Sequence, residues 1–263
     1  MIIPLAITAA AVLVTLAYAS VRDLQERRVP FRTWYPMLAI GIPMALWFYG
    51  SLFFAGAVPL LVFLILMAVL FSLAFYAFAR LNLFGGADAW ALIFLSAVLP
   101  AFPWQPAAGY PPLGFLPFTV LVNALILNLF TPIGLLVENL RRGERGPVTA
   151  MLLGFRVPAE DLPGSFGFVM EDLEEAEDGS IQRRFISFSD AVRRMLTGRG
   201  RIYTRDLRMH PEQYARELGL YRKAGSVWIS YGIPFIVPLA AGLVAALFLG
   251  DILFQCMKLL MGV

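Results

Sequence analysis

The stretch IIPLAITAAAVLVTLAYAS, residues 2–20, runs without a single charge and ends at Val21, Arg22 and Asp23. A helix needs roughly 20 apolar residues to cross about 30 Å of hydrocarbon. This run therefore reads as a spanning helix closed by an Arg-Asp pair. Met1-Ile2-Ile3-Pro4 carries neither a basic n-region nor a small-residue cleavage site, so the run is expected to be a retained helix rather than a cleaved signal peptide. Working outward, five further apolar stretches meet the same test or come near it: 33–50, 52–79, 85–102, 113–137 and 227–250. Trp34, Tyr35, Trp47 and Tyr49 stand near the ends of the second, where interfacial aromatics belong.

Composition agrees. Of 263 residues, 59% are hydrophobic and 15% charged, and mean hydropathy is +0.74. A soluble domain usually carries about 25% charged residues, so too few polar groups remain to cover a water-facing surface. The formal net charge of +3 gives no nucleic-acid footprint, and nucleic acid is not an expected partner. Cys256 and His210 are the single cysteine and histidine. That leaves no material for a disulfide, a CxxC zinc clamp or Ser-His-Asp chemistry. No cofactor and no metal are expected.

The arginines orient the helices. If the spans alternate, the loop with Arg22, Arg27, Arg28 and Arg32, the loop at Arg80 and the long segment 138–226 share one side. They hold 20 of the 21 Lys and Arg residues, leaving only Lys258 opposite. The positive-inside rule makes that side cytoplasmic and puts both termini outside. In the polar segment, 165–173 and 181–188 alternate in apolar character around an Asp178-Gly179 turn. Ser189 is placed to cap a short helix over 190–196, and 211–220 reads as another. The expected fold is an all-α polytopic membrane protein with six transmembrane helices and a small α+β cytoplasmic domain inserted before the last. The domains are 1–137, 138–226 and 227–263.

Ionisable residues at membrane depth mark function by default. Outside the polar segment the acids are Asp23, Glu26, Asp88, Glu138 at its border, and Asp251. Asp23 closes the first helix and Asp88 opens the fourth, so both lie at the cytoplasmic face, while Asp251 falls opposite. Two carboxylates close together cannot both ionise cheaply and share a proton. That state suits peptide hydrolysis: one member takes a proton from water while the other donates to the carbonyl oxygen. Gly85 and Gly86 before Asp88 permit unusual backbone angles and close approach of an extended substrate. Plainer readings stand beside these. A first-turn Asp is favoured by the helix dipole, and Asp23 beside Arg22 is an ordinary flank charge. Arg27 and Arg28 serve topology as readily as substrate. Asn123 and Asn128 suit interhelical hydrogen bonds, and Pro234 and Pro238 suit a kink in the sixth helix. The acids of 171–178 make either a solvated hairpin turn or an attractor for basic peptide.

SVRDLQERRVP (residues 20–30) resembles the motif after the first helix of the archaeal preflagellin and prepilin peptidases. GGADAWAL (85–92) resembles their Gly-x-Gly-Asp motif, which presenilin-like proteases share. IPFIVP (233–238) and PFTVLVNA (117–124) are also similar to the archaeal branch. The resemblance implies that Asp23 and Asp88 are catalytic, with Gly85, Gly86, Ala87, Arg27, Pro30 and Pro234 supporting the motifs or the substrate. It implies removal of a short basic leader from archaellin or pilin-like precursors at the cytoplasmic face, with those precursors and the lipid bilayer as partners. This sequence departs from the pattern at Phe31, where Asn is frequent, at Trp90, where Lys is frequent, and at Ala87, which replaces the second motif glycine. The cysteine-rich domain of the bacterial enzymes is missing, so cleavage without N-methylation is expected. The rivals are a presenilin-like protease cutting inside its substrate's span, an ion- or proton-coupled transporter using the two Asp, and a metal-dependent lipid-modifying enzyme, which EDTA would inhibit.

Overall fold

A computed structural model describes residues 2–81, 84–187, 189, 190, 193, 202–232 and 234–262. The chain divides into two compact units, Met1–Leu129 with Pro234–Val263, and Phe130–Ile233.

The first unit is helical. α1 runs Ile2–Glu26, α2 Tyr35–Phe54 and α3 Val58–Arg80. α4 runs Gly86–Val98 and α5 Leu116–Asn128. After the second unit come α10 (Ile236–Phe248) and α11 (Ile252–Met261). Apolar side chains face outward along these helices, among them Val14, Leu46, Phe54 and Leu73, as surfaces meeting lipid rather than water should. The core is helix against helix: α1 packs on α2, α3 on α4, and α10 along both α5 and α1. Small residues set the closest approaches. A Cβ on Gly242 would lie 2.7 Å from the Val120 carbonyl oxygen, and one on Gly41 2.8 Å from the Val98 Cβ. Buried polar groups bond across helices, as membrane packing favours. The Ser72 and Ser96 hydroxyls are 3.0 Å apart. The Asn123 side chain donates to the Gly250 carbonyl at 2.8 Å and accepts from the Ile252 N–H at 2.9 Å.

Among the described residues, four candidate spans pass on length and apolarity: Ile2–Glu26, Phe31–Phe54, Val58–Arg80 and Leu116–Arg141. The pair α10–α11, bent by 59°, makes a possible fifth. This is four to five rather than six. The expected fourth span is shorter than its apolar run: α4 has 13 residues and stops at Leu99, whose backbone is no longer helical, just before Pro100 and Pro103. The expected sixth span does not start at 227, because Ser226–Ser230 is a strand. Nor do the prolines kink it. Pro234 precedes α10 and Pro238 lies in its first turn, where the missing N–H costs nothing. The break instead falls at Gly250, with φ at 106°, and Asp251, which caps α11 by accepting from the Phe254 N–H at 2.9 Å.

The second unit holds α6 (Thr131–Arg141), α7 (Val148–Leu153), β1 (Gly154–Pro158), β2 (Glu171–Glu175), β3 (Ile181–Phe185), α8 (Thr204–Met209), α9 (Ala215–Ala224) and β4 (Ser226–Ser230). β1 pairs antiparallel with β4, Arg156 opposite Trp228, and β2 with β3, Leu173 opposite Arg183. The β2–β3 hairpin turns at Gly179, φ 80°, as the Asp-Gly pair predicts. The helix expected over 211–220 occupies Ala215–Ala224. The one expected over 190–196 lies mostly outside the described residues. His210 and Cys256 are exposed.

Candidate active site

Asp23 lies in the last turn of α1. The helix ends because Arg27 adopts a left-handed backbone, φ 52°, while its N–H still reaches the Asp23 carbonyl at 3.0 Å. That conformation is uncommon outside glycine, and it turns the chain away from the helix axis just beyond the carboxylate. The Arg22 guanidinium pairs with Glu26 at 2.7 Å, one helical turn on. Arg27 lies within electrostatic reach of Asp23. Pro30 is extended and opens a short 3-10 turn, Phe31–Trp34, with the Thr33 N–H bonded to the Pro30 carbonyl at 2.9 Å.

Asp88 lies in the first turn of α4. Gly85 stands before that helix with extended backbone, and its carbonyl accepts from the Ala89 N–H at 2.9 Å. The two motif glycines are not equivalent. A Cβ on Gly85 would fall on Asp88 Oδ2, so this position must stay bare for the carboxylate to fold back over it. A Cβ on Gly86 would meet nothing. Ala87 is half-buried against the helical core.

The fold brings the two helices that carry the acids, α1 and α4, into contact. The Asp23 and Asp88 carboxylates, both half-buried, lie within each other's field. Pro234 contributes backbone only, accepting from the Val237 N–H at 3.1 Å. The residues after it matter more. Phe235 packs edge-on against Phe84, immediately before Gly85, at 5.3 Å between ring centroids, and Ser20 Oγ donates to the Ile236 carbonyl at 3.4 Å. The start of α10 thus touches both the end of α1 and the approach to α4. The sequence marks Pro234 as motif support or as a kink, whereas the contacts at this segment are made by Phe235 and Ile236, with positions far away in the chain. Sequence reasoning also missed that Phe31 meets Trp90, at 5.4 Å and 90° between ring planes. The available signal was that both depart from the motif pattern.

The acids of the β2–β3 hairpin are largely spoken for. Glu171 is buried on Arg183, Asp172 faces Arg184 at 3.4 Å, and Glu175 holds Lys223 at 2.6 Å. Asp251, by capping α11, serves structure.

Two family matches cover most of the chain. Residues 10–133 match the type IV leader peptidase family, and 146–252 match the archaeal peptidase A24 C-terminus, type II. The chain belongs to the archaeal type IV leader peptidase family. It is thus a membrane-associated peptidase rather than a transporter, and the first match contains both Asp23 and Asp88. The chain is also similar to the preflagellin peptidase of Methanococcus voltae, 23% identical over 252 residues, covering 91% of this chain and 93% of the relative.

Proposed function

We propose that this protein is an aspartic endopeptidase that removes a short basic leader from archaellin or type IV pilin-like precursors at the cytoplasmic face of the cell membrane. The observation that carries this reading is that the two helices bearing Asp23 and Asp88 touch, which sets the two carboxylates within each other's field. Family membership and the preflagellin peptidase relative support the substrate class.

The mechanism follows from the pair. Facing carboxylates share one proton. The ionised member accepts a proton from water as the water oxygen attacks the scissile carbonyl, and the protonated member donates to the carbonyl oxygen. The resulting diol then gives one hydroxyl proton to the carboxylate that is now ionised as the other carboxyl protonates the leaving nitrogen; the C–N bond breaks, and the dyad stays singly protonated. Gly85 keeps Asp88 Oδ2 free to fold back.

In the proposed topology the termini lie outside and α4 enters the membrane from the cytoplasmic face. The 13 residues of α4 rise about 20 Å, less than the hydrocarbon thickness of about 30 Å. Asp88 then sits slightly below the headgroups, where a leader–helix junction arrives. A basic leader remains inside for the same reason that Arg-rich loops do. The domain roles follow the sequence division 1–137, 138–226 and 227–263, with the peptidase centre in the first.

Cleavage of a basic-leader precursor by the detergent-solubilised protein, beside Asp23→Asn and Asp88→Asn and with EDTA present, tests the reading. A cut at the leader border by wild type only is expected. A cut within the precursor's apolar helix would move the protein to presenilin-like proteolysis, activity in both variants would remove the dyad, and loss of wild-type activity to EDTA would point to metal.

A further inference from the structure

Phe31 and Trp90 were two separate oddities in the sequence, one after each Asp motif. In the fold they are one contact. Phe31 stands edge-on to Trp90 at 5.4 Å and 90°, and to Phe94 at 5.7 Å and 75°. Trp90 and Phe94, one helical turn apart on α4, stack at 5.2 Å and 26°. Phe94 also meets Trp34, which is buried in the helical core, at 6.4 Å. Edge-on and offset-stacked geometries are those that ring quadrupoles favour.

We propose that Phe31 and Trp90 form an aromatic clasp that holds the segment after Asp23 against the helix carrying Asp88, and so sets the separation of the two carboxylates. This rests on the reading of Asp23 and Asp88 as the working pair. Phe31 follows Asp23 by eight positions, across the left-handed Arg27 that frees the chain from α1. Trp90 follows Asp88 by two, within the same helix. A bond between these rings therefore ties the two motif segments without using either acid. Core filling does not explain it, because Phe31 is 46% exposed. A residue so exposed leaves little cavity when truncated, yet its ring is set edge-on against three others, Tyr35, Trp90 and Phe94. Phe31 and Trp90 are positioning residues: they act on the reaction through the carboxylates.

An aromatic pair shifts a two-state equilibrium by roughly two- to twelve-fold, which bounds the effect. The test has an arm that needs no activity. In a Cys256→Ala chain carrying Asp23→Cys and Asp88→Cys, a short bifunctional thiol reagent reports how often the two positions meet. Adding Phe31→Ala or Trp90→Ala is expected to slow cross-linking two- to ten-fold, with Trp90→Phe restoring most of it and thermal unfolding nearly unchanged in Phe31→Ala, whose ring is exposed. In the chain with both Asp intact, the same substitutions are expected to lower kcat about tenfold while KM holds, and Phe31→Ala is expected to add little once Trp90→Ala is present. Unchanged cross-linking in folded clasp variants would overturn the proposal. So would loss through KM alone. If wild type cleaves no precursor while the clasp variants still slow cross-linking, the clasp stands and the peptidase reading falls.

Discussion

Glu171 and Asp88 are both acids drawn out of water, and the protein treats them in opposite ways. The Glu171 side chain, wholly buried in the strand-containing unit, accepts from Arg183 at 3.1 Å and from the Trp228 N–H at 2.9 Å, while Arg183 also donates to the Ala224 carbonyl. Its charge is answered on every side that the hairpin offers. Asp88, in the helical unit, has another carboxylate for a neighbour and a bare glycine under its oxygen. Burial with a cation and an N–H builds a fold. Burial beside a like charge costs stability, and in the proposed mechanism it is what keeps one proton shared between the two acids.

The sharpest way to break this contrast is to neutralise each acid. Asp88→Asn or Asp23→Asn is expected to cut precursor cleavage by about 10³-fold or more with no loss of thermal stability. Glu171→Ala is expected to do the reverse. It strands Arg183 and the Trp228 N–H and should destabilise the protein by about 3 kcal/mol, read by chemical unfolding, while cleavage per folded molecule persists. If Asp88→Asn unfolds the protein instead, Asp88 is structural and the contrast fails.

A second contrast lies within one motif. Gly85→Ala would push the Asp88 carboxylate aside, and displacement near 1 Å costs about 10²-fold in rate. Gly86→Ala has open space around it and should leave the rate within about twofold, the two being compared by initial rates on one precursor. Equal effects would mean that flexibility, rather than room for Oδ2, is what the motif supplies.

These acids also show what the sequence made legible. The long apolar runs placed α1, α2, α3 and α5, because hydrocarbon demands length and apolarity and little else. Asp23 and Asp88 could be singled out as acids at helix ends beside apolar runs, before any contact between their helices was known. Hydropathy failed where apolar residues do other work. Val227, Trp228 and Ile229 are buried in β4 rather than in a span, and a short apolar run does not distinguish a buried strand from a helix. The residues after Val98 are apolar through prolines, not through helix. The break between α10 and α11 was hidden because it depends on Asn123, far away in the chain, bonding to both sides of it. That bond is testable. Asn123→Ala leaves the Ile252 N–H and the Gly250 carbonyl with no side-chain partner and should cost about 2 kcal/mol, measured by thermal unfolding in detergent.

The smallest effect expected lies where the hairpin is wettest. Asp178 is fully exposed, yet hydrogen bonds from the Ser180 hydroxyl at 2.6 Å and its N–H at 2.9 Å hold the carboxyl below its ordinary value. A lowered folded-state value means that the unfolded chain binds the proton more readily. The contribution is therefore complete above the usual carboxylate range and disappears as pH falls through the lowered folded value. Glu171 differs in kind, since its carboxyl is sealed from solvent. Stability measured across the acid range should show a shallow loss in wild type that Asp178→Asn flattens slightly. Glu171→Ala should lower the whole curve. If Asp178→Asn instead lowers the curve as far as Glu171→Ala does, the turn rather than the buried pair holds the hairpin, and the contrast drawn between exposed and buried acids would have to be reversed for this unit.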